Sequence, residues 1–232
     1  RDLWDWCAIR DCRLIYASSA ATYGDGEQGF EDKDDLDSLS ALRPLNAYGY
    51  SKFLFDQYAL RQAERSQAPA QWAGLKFFNV YGPNEGHKGT MKSVVAQIWP
   101  MVAADKPVTL FRSHRSDYAD GGQMRDFVFV DDVVDIIIWL LETPSVSGIY
   151  NAGSGQARSF ADLARATFAA AGKAARIDYV DTPEVIRDKY QYFTEARMDR
   201  IRAAGFEGQS TPLEEGVRRY VQDYLATPDP YR

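Results

Sequence analysis

An α/β fold is predicted, a parallel sheet with helices on both of its faces. Three observations predict it. Short apolar runs of β-favouring residues recur at 13–19, 74–80, 125–130, 148–153 and 175–180. Stretches of helical periodicity separate most of them, and polar turn residues mark the junctions. Neither an internal repeat nor a low-complexity linker interrupts the pattern.

The elements follow in order. Residues 3–12 read as the end of an amphipathic helix, and RLIYASS at 13–19 as a strand broken afterwards by small residues. Positions 24–43 form an acidic, Gly-bearing loop. A helix then runs over 46–65, with Asn46 as its N-cap. GLKFFNV at 74–80 is the next strand, and YGPNEGHKG a loop. SVVAQIWPMVAAD reads as a helix despite Pro100, followed by the short strand PVTLF and the polar loop RSHRSDYADGGQM. RDFVFV is a strand, and Asp131 or Asp132 caps the helix VVDIIIWLLE. The strand GIYNAG, the helix FADLARATFAAAG, the strand ARIDYV and an amphipathic helix over 212–226 complete the order.

Composition limits the function. The 232 residues suffice for one core or a core with a small second lobe. A net charge of −6 and a pI near 5.0 argue against a nucleic-acid polymer or a membrane surface as partner. VVDIIIWLLE is too short to span a bilayer, and charges interrupt the first twelve residues where a secretory signal would be apolar. Cys7 and Cys12 make neither a disulfide framework nor, with His87 and His114 far off in sequence, a metal site. Reduced thiols in a cytoplasmic protein are expected.

The chemistry concentrates in NAYGYSKFLFDQY at 46–58. Tyr48 and Lys52 stand four residues apart, so both leave one face of the helix. An ammonium beside a phenol favours the phenolate, which makes a proton-transfer group. The Ser-rich strand end SSAATYG precedes this pair, with Ser18 and Ser19 as alternatives for contacting a reacting oxygen, and a strand reaching Asn79 follows it. A literal G-x-G-x-x-G occurs at Gly24, Gly26 and Gly29, but FEDKDDLD follows it, five acids in eight positions. That sequence repels phosphate and opens no apolar helix, so an exposed loop is expected. NAGSG at 151–155 lacks the third glycine.

Taken together, YASSAATYG, YGYSKFLFD, FNVYGPNEGHKGTM, RDFVFVDD, GIYNAGSGQARSF and KYQYFT resemble the extended short-chain dehydrogenase/reductase family that acts on nucleotide sugars. Within it the likeness is greatest to the epimerases of ADP-activated heptose, and EGHKG, with Lys88, carries that distinction. The resemblance implies a Rossmann-like sheet whose first strands and glycine fingerprint lie outside this chain, with a smaller C-terminal α+β substrate lobe. It divides the chain at 1–80, 81–123, 124–155 and 156–232, alternating between dinucleotide-binding and substrate parts. It implies Tyr48, Lys52 and Ser19 (favoured over Ser18 by its spacing to Tyr23-Gly24) as the catalytic triad, and Lys88 as a second acid/base. Tyr48, Lys52, Val80 and Lys88 would face NADP, with NAD as the alternative. Ser19, Asn79, Thr90, Gln97, Phe111, Arg112, Ser113, His114, Arg125 and Tyr190 would contact an ADP-heptose, Arg125 clamping its diphosphate. The implied reaction inverts C6″ through a transient ketone, for lipopolysaccharide inner-core precursors, in a homo-oligomeric enzyme. The rivals are another nucleotide-sugar epimerase, a 4,6-dehydratase, and a noncatalytic truncated relative. SSAAT offers no acidic pair beside the serine, which counts against the dehydratase.

Overall fold

A computed structural model describes residues 1–187 and 190–229 and divides the chain into two units. The first contains Arg1–Phe78, Val133–Gly155 and Glu195–Gly208; the second contains Asn79–Asp132, Gln156–Thr194 and the residues from Gln209 onward.

In chain order the elements are α1 Asp2–Ile9, β1 Leu14–Ser19, α2 Leu36–Ala41, α3 Ala47–Glu64, β2 Trp72–Phe77, β3 Asn79–Tyr81, α4 Val94–Ala103, β4 Val108–Phe111, β5 Met124–Phe129, α5 Val130–Glu142, β6 Gly148–Ala152, β7 Ala157–Ser159, α6 Phe160–Ala170, β8 Ile177–Val180, α7 Glu184–Arg187, α8 Asp199–Ala203 and α9 Leu213–Tyr220. Two 3₁₀ turns, Ala20–Tyr23 and Gly86–Met91, carry residues of interest, and a π-type turn, Val221–Leu225, continues α9.

The first unit holds the parallel sheet β1-β2-β6. Parallel neighbours need a crossover, and the 18-residue α3 supplies the one between β1 and β2. The first five residues of β2 are all buried, as expected for a central strand covered on both faces. Ala73, Leu75, Tyr150 and Ala152 of the sheet pack with Ile136 and Leu140, one turn apart on α5, and with Ile201 and Phe206. A second nest gathers under α1, where the fully buried Trp4 meets Trp72, Tyr16 and Phe55 edge to face. Cys7 is buried, Cys12 half-buried, and both are free thiols.

Helix α3 begins where its cap directs. Asn46 has extended backbone, and its side chain accepts from the Gly49 amide at 2.9 Å. Gly49 is required for packing: a Cβ there would lie 2.6 Å from the Ala21 carbonyl oxygen. The start of α3 therefore rests against the chain just beyond Ser19. Asn46→Ala should cost about 1 kcal/mol of stability by loss of the cap, read as a lowered urea midpoint at unchanged slope.

In the second unit β5 pairs with β3 in parallel and with β7 antiparallel, and β4 pairs with β8 in parallel. Helices α4, α6 and α9 enclose a core that includes Tyr81, Val95, Val102, Phe127, Phe129, Leu163, Phe168 and Val217. Pro100 sits inside α4 as expected.

Several details differ from the sequence reading. The strand expected over 74–80 divides at Phe78, whose amide bonds Ala152 while Asn79 pairs with Phe127 in a different sheet. The loop at 24–43 contains α2, capped by Asp35. Neither Asp131 nor Asp132 caps α5, because Val130 directly after β5 is already helical and both acids fall inside the first turn. There they suit the positive end of the helix dipole. Asp132 also accepts from the amide and hydroxyl of Thr211, at 2.9 and 2.6 Å. Gly24, Gly26 and Gly29 have φ of 66°, 86° and 77°, and their turns lead into the acidic loop.

Candidate active site

The acid/base pair stands on the exposed face of α3, at the carboxyl end of β1. Tyr48 is 57% exposed, and its hydroxyl makes no hydrogen bond among the described residues. The Lys52 ammonium lies 5.8 Å from the Tyr48 ring centroid and donates to the Ala17 carbonyl at 2.9 Å. That bond ties the pair to β1.

The two serines separate by their partners. Ser18 is 2% exposed and its hydroxyl donates to Asp56 at 2.7 Å, so it is committed to the interior. Ser19 ends β1 and caps the Ala20–Tyr23 turn by accepting from the Ala21 amide at 3.1 Å. Its own O–H donates to nothing among the described residues and remains available to a bound oxygen.

Beneath these residues lies a buried ion pair that the sequence reading passed over. Asp56, one turn beyond Lys52 on the same helical face, meets Lys76 of β2 at 2.9 Å with both side chains excluded from solvent. Asp56 also accepts from Tyr16 at 3.0 Å, and Lys76 donates to Thr22 at 2.6 Å. Lys76 further lies 4.9 Å from the Tyr23 ring centroid. Burial and the Asp56 charge hold the Tyr16 phenol well above its ordinary range. The i+8 spacing from Tyr48 was a visible signal, but the partner on β2 was not.

The second unit carries the remaining candidates. Lys88 lies in the Gly86–Met91 turn, where Gly89 has a φ of 55°, and its ammonium is 3.5 Å from Glu85. His87 is exposed beside it. Gln97 on α4 donates to the carbonyls of Thr90 and Lys92 at 3.3 and 2.7 Å, bringing two predicted contacts together. Asn79 is exposed at the start of β3, and Val80 is half-buried opposite Val128.

A cavity gathers two more around Gln97. Gln97, Phe111 and Tyr190 line it with Val94, Ile98, Thr109, Leu110, Gln123 and Phe160. Phe111 and Tyr190 meet edge to face at 6.0 Å, and Arg125 sits 5.5 Å from the Phe160 ring centroid and 5.7 Å from that of Tyr190. Burial pushes the half-buried Arg125 guanidinium down from its ordinary value, and no carboxylate among the described residues pairs with it. A desolvated guanidinium beside aromatic walls can take an anion attached to a flat ring. The sequence reading singled out neither Phe160 nor Gln123: Gln123 sits just before β5 in no motif, and Phe160 closes the GIYNAGSGQARSF stretch and opens α6 without any sign of its role in this wall.

The loop of 112–123 is tied down at both ends. Arg112 pairs with Asp181 at 3.3 Å and Asp120 at 3.9 Å. The Ser113 hydroxyl and His114 Nδ1 lie 3.2 and 2.9 Å from the Tyr192 hydroxyl, which also accepts from the His114 amide. Of the KYQYFT stretch, Lys189 lies outside the described residues.

The first unit fits one end of a nicotinamide dinucleotide. A concavity opens between Tyr16, Ala17, Ser51, Lys52 and Phe55. The Lys52 ammonium, with one of its three donors on Ala17, can offer the others to ribose hydroxyls.

The chain matches the model of the NAD dependent epimerase/dehydratase family over residues 1–153. It is 50% identical over 231 residues to a protein of Nitratidesulfovibrio vulgaris (strain DP4) named ADP-L-glycero-D-manno-heptose-6-epimerase, covering 100% of this chain and 70% of that one. A protein of the same name from Fusobacterium nucleatum is 48% identical, with 99% and 70% covered. Among solved structures, the Helicobacter pylori ADP-L-glycero-D-manno-heptose-6-epimerase aligns with a TM-score of 0.71 at 26% identity, over 94% of this chain and 61% of that one. The UDP-glucose 4-epimerase of Thermus thermophilus, in complex with NAD, aligns with a TM-score of 0.70 at 28% identity, over 91% and 64%. The chain thus spans less than two thirds of either solved relative. By the family model and by these identities over nearly its whole length, the chain belongs to the NAD dependent epimerase/dehydratase family.

Proposed function

We propose that this chain carries the acid/base machinery of an ADP-L-glycero-D-manno-heptose 6-epimerase. It inverts C6″ of ADP-D-glycero-D-manno-heptose through a 6″-ketone. The reading is carried by the presence of two candidate acid/base groups, Tyr48 with Lys52 on α3 and Lys88 in a glycine-flanked turn. The names of the relatives support the substrate.

Bound NADP, with NAD as the alternative, supplies a reversible hydride acceptor. Lys52 holds its ribose, with its ammonium beside the Tyr48 ring. One of Tyr48 and Lys88 takes the C6″ hydroxyl proton, the other returns a proton after the ketone has turned, and Ser19 donates to the reacting oxygen. Arg125 clamps the diphosphate, the slot of Phe111, Phe160 and Tyr190 receives the flat base, and Asn79, Thr90, Gln97, Arg112, Ser113 and His114 add contacts. Carried with the reading are a cytoplasmic place in lipopolysaccharide precursor synthesis and a homo-oligomer.

The test incubates ADP-D-glycero-D-manno-heptose with this chain, alone and joined to the family's preceding nucleotide-binding half. Inversion at C6″ is followed by NMR, and retained cofactor by mass spectrometry. NADP retention and inversion without net redox change are expected of the joined form. Absence of both overturns the reading, and retained NAD in place of NADP corrects the cofactor.

A further inference from the structure

Glu85 is a buried carboxylate that none of the assigned roles uses. It is 4% exposed. One oxygen accepts from the Ser93 hydroxyl at 2.6 Å; the other accepts from the Ser93 amide at 2.7 Å and lies 3.5 Å from the Lys88 ammonium. Tyr220 faces the same carboxylate, and burial together with the Glu85 charge pushes its phenol up.

Withdrawing a carboxylate from water costs several kcal/mol unless charge and hydrogen bonds compensate it. Ser93 and Tyr220 are neutral. Lys88 is the only cation within ion-pair distance of Glu85 among the described residues. The burial is unequal: the Glu85 side chain is 5% exposed and that of Lys88 41%. The acid is thus the fixed end of the pair, and the ammonium keeps an open side with donors to spare. The backbone reinforces the arrangement, since the Lys88 amide donates to the Glu85 carbonyl at 3.0 Å. Ser93 is also the N-cap of α4, the helix that carries Gln97.

We propose that Glu85 is the positioning residue of Lys88: its buried carboxylate fastens the lysine-bearing turn to the start of α4 and presents the ammonium from a fixed point. This rests on the reading of Lys88 as the second acid/base group. The plain alternative makes Glu85 a helix-end anchor whose nearness to Lys88 has no effect on turnover.

The experiment compares wild type, Glu85→Gln, Glu85→Asp and Lys88→Met in the joined, active form. Lysines are reductively methylated with ¹³C, and the Lys88 signal is identified by its absence from Lys88→Met. In Glu85→Gln the Lys88 signal should move to the position of freely exposed lysines. kcat should fall about 10²-fold, the scale of a misplaced catalytic group, with KM unchanged. Glu85→Asp, which keeps the charge on a shorter arm, should recover part of both. If Glu85→Gln fails to fold, Glu85→Asp decides alone by an intermediate kcat and a shifted signal. An unchanged Lys88 signal and kcat in the folded variants overturn the proposal, whatever happens to stability. Wild-type turnover in Lys88→Met would instead sink the two-base reading, while the methyl signal still reports whether Glu85 holds the lysine.

Discussion

Tyr48→Phe and Lys88→Met should each slow C6″ inversion by about 10²–10⁴-fold, the usual worth of a positioned acid or base, with the fold retained. The stability half follows from exposure. Tyr48 is 57% exposed and its hydroxyl is bonded to no described group, so phenylalanine strands no buried partner. Lys88→Met leaves Glu85 without its cation but with Ser93 still bound, and the ion pair is half open to water. Its loss should cost more than the roughly 1 kcal/mol of a surface pair and less than the roughly 3–5 kcal/mol of a fully buried one, since the lysine side is partly open and Ser93 stays bound. The rate half follows from the proposed two-base reading, in which hydride leaves one face of C6″ and returns to the other, so the displaced oxygen needs a proton donor that the first base cannot be. Initial rates for each epimer, followed by NMR, measure the effect, and thermal unfolding checks the fold. Near-normal turnover in Lys88→Met would leave a one-base nucleotide-sugar epimerase as the better reading.

Asp56→Asn and Lys76→Met should each destabilise the protein by about 3–5 kcal/mol, the cost of leaving one member of a buried ion pair alone. Against a typical folding stability of about 5–15 kcal/mol, either change removes a large share. The side chains are 0% and 1% exposed, so water cannot replace the lost partner. Asparagine offers a single acceptor where Asp56 now serves Tyr16, Ser18 and Lys76, and it turns an amide donor toward groups that are themselves donors. Methionine at position 76 leaves Asp56 charged and also abandons Thr22. The double variant should lose less than the sum of the two, since no uncompensated charge remains. Urea unfolding of all four proteins measures the coupling. Additive losses would mean that the pair adds nothing beyond its separate hydrogen bonds.

The contrast between these two predictions shows which parts of the molecule were legible beforehand. Tyr48 and Lys52 could be placed because helix spacing is local and Asn46 announces where the helix starts. The same locality made β1, α4 with its internal proline, and α6 readable. Lys76 could not be linked to Asp56: twenty positions separate them, and a lysine within an apolar strand gives no hint of its partner. The division of 74–80 at Phe78 was hidden for a related reason. Hydrophobicity records that a residue is buried but not which sheet buries it. Asp131 and Asp132 look like caps by composition, yet a helix that begins directly from a strand has no separate cap position for them. In the second unit, Gln97, Phe111 and Tyr190 were named by resemblance and meet in one cavity. Phe160, at the end of GIYNAGSGQARSF, and Gln123, in no motif, complete its wall, and their place there emerges only from the tertiary arrangement.

Helix α3 acts as a graduated rod driven from solvent into the interior. Its marks at Tyr48, Lys52 and Asp56 pass from open water to complete burial. Those residues span about 12 Å at the helical rise of about 1.5 Å per residue. The deepest mark is clamped by Tyr16, Ser18 and Lys76, so the height and rotation of the outer two are set from below. Losing one residue between Lys52 and Asp56 would turn the outer segment by about 100° relative to the clamp. The phenol and ammonium would both survive in composition and vanish in function. Away from Asn46, Tyr48, Gly49, Lys52 and Asp56, this helix therefore tolerates substitution far better than changes of length.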